Sequence, residues 1–88
     1  MKVDFCRLSE MVPKQQGTIV GLNVGQPLRS RMLGMGISKG ANILVQRTSW
    51  FGHTFHITVD QLTNLIIRKI DANDIWVRVE MHVDSNSK

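Results

Sequence analysis

Eighty-eight residues, 42% of them apolar and 20% charged, make a chain that buries roughly 60 to 65% of its unfolded surface around one modest core and has no room for a second domain. No apolar run approaches the roughly 20 residues of a membrane-spanning helix. The opening Met1-Lys2-Val3-Asp4-Phe5-Cys6-Arg7 carries an acid and no long apolar stretch, so it does not read as a secretory signal, and a cytoplasmic location is expected.

The formal charge of +4 is unevenly placed: residues 1–47 carry a net +5 and residues 48–88 a net −1. Arg29, Arg31, Lys39 and Arg47 supply much of the basic half. Such a face suits an acidic protein surface, nucleic acid or an anionic membrane leaflet; a merely solvated face is the alternative. Cys6 is the only cysteine, which excludes a disulfide framework and agrees with a reducing compartment. A partly buried, unreactive thiol is the expected reading of it.

In chain order, residues 1 to about 10 have no clear period, and Leu8 to Val12 reads as an apolar turn or edge segment closed by Pro13. Lys14 to Gly17 is a polar connector. Thr18 to Val24 reads as a strand with Val20, Leu22 and Val24 on one face, and Gly21 marks a bulge or bend. Pro27 then opens a helix of two to three turns, whose apolar face is Leu28, Met32 and Met35, widened by Leu33. Arg29 and Arg31 point away from that stripe, and Gly36 is its left-handed stop.

Ala41 to Thr48 reads as the second strand, with Ile43 and Val45 inward. After the turn Ser49 to His53, Phe55, Ile57 and Val59 alternate with His56, Thr58 and Asp60, the cleanest period of two in the chain. Leu65 and Ile67 face inward from Asn64 to Arg68, Asp71 to Asp74 forms about one helical turn, and Ile75, Val77 and Val79 line the last strand. The expectation is an all-β fold: a five-stranded antiparallel barrel over about residues 8–82, with one short helix after the first strand, a single domain over 1–88 and a frayed tail at 83–88.

The residues offer little chemistry. Asp60, Asp71, Asp74 and Glu80 lack an apolar setting that would raise a carboxyl pKa, and no serine, cysteine or lysine sits in an activating motif. Gly34-Met35-Gly36 lacks the remainder of a phosphate-binding loop. No enzyme is expected. His53 and His56 are weak metal candidates: three apart, they share an ion only if His53 belongs to the turn. Nearness of His82 to Cys6 stays open.

The exposed Trp50-Phe51 loop on a basic small barrel favours a single-strand nucleic-acid binder as the rival reading. Trp76 alternates with core residues and must point outward, as a partner anchor or under cover of Phe5 and Leu8.

The order of these elements resembles one family. Arg31-Met32-Leu33-Gly34-Met35-Gly36-Ile37-Ser38-Lys39-Gly40 is similar to the R-L-x-x-[LM]-G-[ILF]-x-P-G signature of the ferrous iron transport protein A (FeoA) family. Phe51 to Ile57 resembles its G-D-P hairpin and following strand, Leu65-Ile66-Ile67-Arg68 its L-A-L-R strand, and Asp71 to Val77 its closing [DE]-A-x-x-I-x-V. The resemblance covers about residues 17–80. Lys39 stands where the family has proline, and His53-Thr54 where it has Asp-Pro.

The resemblance implies an SH3-like, non-enzymatic barrel that assists a membrane ferrous iron transporter with a cytoplasmic GTP-binding domain, placing it at the inner membrane through that partner. Similar modules also end metal-responsive repressors. Leu28, Arg29, Arg31, Met32, Leu33, Met35 and Trp76 are the expected partner-binding residues. No cofactor is expected; weak contact with Fe2+ or another transition metal, and self-association, stay open.

Overall fold

The computed structural model describes residues 2–81. The expected frayed tail at 83–88, and His82, lie outside them. Six strands form one antiparallel sheet in the order β1-β6-β2-β3-β4-β5: β1 Lys2–Arg7, β2 Gln16–Leu22, β3 Asn42–Thr48, β4 Thr54–Val59, β5 Thr63–Arg68 and β6 Ile75–Met81. Helix α1 spans Leu28–Gly34, helix α2 spans Lys69–Ala72, and a 3-10 turn covers Leu8–Glu10.

The alternation read in the sequence places the core. Ile43 and Val45 of β3, Phe55, Ile57 and Val59 of β4, Ile67 of β5, and Ile75, Val77 and Val79 of β6 are all buried together. One sheet surrounds one core only if it rolls, and two register shifts supply the bends, between Ile19 and Gly21 in β2 and between Val45 and Arg47 in β3. The first is the irregularity expected at Gly21.

Four expectations change. The strands number six, because the aperiodic N-terminal segment forms β1, pairing with β6 from Lys2↔Met81 to Arg7↔Trp76. The roll is open between its outer strands β1 and β5; α2 packs against β4, β5 and the 3-10 turn on that side, and Leu8, Met11 and Ala72 are buried there. Val20, Leu22 and Val24 are only half-buried while Ile19 is 1% exposed, since the bulge at Val20 resets the strand's alternation. Gly17 belongs to β2 rather than to a connector: a Cβ there would collide with Val77 Cγ1 and sit 2.8 Å from the Arg78 carbonyl oxygen. The missing side chain lets β2 and β6 cross closely.

Candidate functional site

Helix α1 is built by local chemistry. Its first turn is capped by Gln26, whose Oε1 accepts from Ser30 N–H at 3.1 Å and from Ser30 Oγ at 2.6 Å, a role the sequence did not suggest. Its end is a Schellman turn: Ile37 N–H donates to Met32 O at 2.9 Å and Gly36 N–H to Leu33 O at 3.0 Å, with Gly36 at φ +87°. Met32 and Ile37, the apolar pair that accompanies such a turn, are both buried.

This geometry divides the expected stripe. Met32 is 1% exposed and belongs to the core, so it is corrected from a partner-binding candidate to a packing residue. Leu28 is half-buried against the same core. Leu33 is 48% exposed and Met35 42%; Met35 caps the helix beyond its last turn, where the backbone no longer holds it on the inner face. Arg31 is exposed beside them. Arg29 does not hang free: its Nη1 donates to the carbonyls of Leu22 at 3.0 Å and Val24 at 3.5 Å, tying the helix to the end of β2.

Trp76 opposes Gly21, the residue before Leu22, on one side and Arg7 on the other. It is 37% exposed, and the Arg7 guanidinium, a cover the sequence did not suggest, lies over it with its carbon 5.2 Å from the ring centroid. Leu8 is in the core and Phe5 is 59% exposed. The structure thus leaves Leu33, Met35 and Arg31 exposed on or next to α1, and sets Trp76 opposite the end of β2 to which Arg29 ties that helix.

His53 precedes β4 and His56 sits within it, so His53 belongs to the turn, the placement on which a shared ion depends. His53 is exposed, its ring 6.1 Å from that of Phe51; His56 opposes Arg47 and Ile66. Among the described residues no group of three His, Cys, Asp or Glu is placed to hold a metal. Burial pushes the Cys6 thiol up from its ordinary value, with Glu10 and then Asp4 adding to the shift.

A shallow depression of about 450 Å³ on the outer face of β3, β4 and β5 escaped the sequence reading; Gln46, Arg47, His56, Asn64 and Ile66 line it. Gln46 Nε2 donates to Thr58 Oγ1, which donates on to Asn64 Oδ1, both at 2.8 Å. Outward alternation marked His56 and Thr58, but the bulge that brings Gln46 over them left no local signal.

The model of the FeoA domain matches residues 6–79. The chain belongs to the FeoA family. Comparison with curated protein sequences finds no match. Among solved structures, this FeoA domain is similar to an iron uptake regulatory protein (FeoA) at 28% identity and TM-score 0.78, over 88% of this chain and 100% of that one. It is similar also to iron(II) transport protein A from Clostridium thermocellum, at 28% identity and TM-score 0.79, over 84% of this chain and 45% of that one. An FeoA-like protein from Clostridium acetobutylicum shares the fold at TM-score 0.80 and 23% identity, each chain covered in full.

Proposed function

We propose that this FeoA domain is a non-enzymatic accessory protein of ferrous iron uptake that binds the cytoplasmic GTP-binding domain of a membrane ferrous iron transporter and modulates it. Membership of the family supports the role in ferrous iron transport, and two similar structures carry names of iron uptake and iron(II) transport. Iron in this reading is the transporter's cargo. The protein works at the cytoplasmic face of the membrane through its partner.

The observation that carries the contact is the division of α1. Met32 anchors the helix from inside, while Leu33 and Met35 are two exposed apolar side chains of its last turn and cap, and exposed Arg31 precedes Met35 by one turn. Burying such a pair against a partner gains free energy without reordering the helix.

The test is a binding titration of the isolated GTP-binding domain against Leu33→Glu and Arg31→Glu. Leu33→Glu is expected to weaken binding about tenfold or more with an unchanged melting temperature. Unaltered affinity in the folded variant overturns the α1 contact.

A further inference from the structure

The hairpin between β3 and β4 carries two aromatic rings that lie outside the core. Trp50 is 92% exposed and Phe51 77%. The turn beneath them is held without either ring: Ser49 Oγ accepts from His53 N–H at 3.0 Å and Thr54 N–H at 3.1 Å, and Gly52 N–H donates to Ser49 O at 2.9 Å. Gly52 takes the left-handed conformation at φ +74° that this turn needs. The rings are therefore presented by a turn whose hydrogen bonds are already satisfied. Their exposure is a standing hydrophobic cost in water.

The charge around the tip says what covers it. Lys69 N–H donates to His53 O at 2.8 Å, which fixes the start of α2 at the base of the hairpin. Arg68 opposes Thr54 at the same end of the sheet, and Arg47 opposes His56 one step further in. Arg47, Arg68 and Lys69 are all exposed, and Ile70, 66% exposed, adjoins Lys69. Asp71, the only acid in α2, is engaged by Arg68 at 3.0 Å.

We infer that this end of the sheet docks on an anionic bilayer surface, with Trp50 and Phe51 entering the headgroup region and Arg47 and Lys69 meeting acidic lipid headgroups. Aromatic rings prefer that interface, where the apolar body is buried and the indole N–H stays hydrated. A cationic collar adds attraction that fades within a Debye length. A fluid surface accepts a projecting tip of two adjacent rings without a matching pocket, which a protein partner would have to supply. The inference uses residues apart from α1 and stands independently of the transporter contact.

The test uses the full chain with sedimenting vesicles of phosphatidylcholine alone or mixed with phosphatidylglycerol. Partition onto the mixed vesicles only, weakening as salt rises, is expected. In a Trp76→Phe background Trp50 is the sole tryptophan, and its emission shifts to the blue on binding. Trp50→Ala with Phe51→Ala abolishes partition at an unchanged melting temperature, and Lys69→Ala lowers it about fivefold. Absence of partition at low salt overturns the inference, as does partition that survives loss of both rings. So does a chain that ignores vesicles but binds a single-stranded oligonucleotide, or another protein, through the same rings.

Discussion

The Arg7 guanidinium lies over the Trp76 ring, 5.2 Å from its centroid, on residues that face each other across β1 and β6. The contact joins the outermost strand to the sheet on its outer face, where no core packing helps. An exposed cation–π pair of this kind contributes about 0.5–1 kcal/mol. A double-mutant cycle of Arg7→Ala and Trp76→Leu, which removes the aromatic face, is expected in urea denaturation to return coupling of about that size. A coupling of zero means that the pair merely coexists.

Gly17 and Gly36 resist substitution for different reasons, and the variants separate them. Gly17→Ala drives a methyl into Val77 and the Arg78 carbonyl, so a loss of about 1–3 kcal/mol is expected from overpacking between strands. At Gly36 a methyl would meet only Val59 Cγ1 at 3.6 Å, an ordinary contact, but the φ of +87° is one that side-chain-bearing residues rarely adopt. Gly36→Ala is expected to cost about 1–2 kcal/mol, and Gly36→Asn less, since asparagine tolerates that conformation. Equal losses for the alanine and asparagine variants would point away from backbone strain.

Met32 and Leu33 are neighbours in sequence with opposite tasks. Met32→Ala empties a fully buried site and is expected to cost about 2–5 kcal/mol in thermal or urea unfolding. Leu33→Ala, at a half-exposed position, is expected to change stability by less than about 1 kcal/mol. Reversal of that order would place the wrong side of α1 against the core.

Cys6 provides a pH test. Its thiol is raised from its ordinary value by burial first and by the Glu10 and Asp4 carboxylates after it, so thiolate is scarce near neutrality and alkylation is slow. Glu10→Gln with Asp4→Asn is expected to lower the pKa and speed alkylation at mildly alkaline pH. A raised pKa favours the neutral thiol in the folded chain. Its stabilising contribution is present below the unfolded value and is lost as pH rises through the folded one. Stability that is flat across that alkaline window in wild type and Cys6→Ser alike would show that the thiol does not report on folding.

Strands that bury one face announced themselves. Phe55, Ile57 and Val59, and likewise Ile75, Val77 and Val79, alternate because each sits between paired neighbours over a common core. Strand β1 stayed hidden because it pairs on one side only and exposes Asp4 and Phe5 alike, which leaves no period to detect. Ile19 was missed because a bulge shifts the phase of β2 without a residue type that marks it, and Gly17 because the reason for its glycine lies on β6, far along the chain. At the candidate site the helical stripe was legible. Its breakage at Met35 was not, since that depends on where the helix stops.

The pairing of β1 with β6 also has a kinetic consequence. Residues Lys2 and Met81 face each other, so the first strand finds its place only when the last has been laid down. The meander β3-β4-β5 has nearest-neighbour hairpins, which close quickly at small entropic cost. The β2-β6 and β1-β6 ladders require nearly the whole chain to loop back. Such long-range pairing slows folding and orders assembly from the middle outward, so the Arg7–Trp76 contact is among the last to form and among the first to be lost.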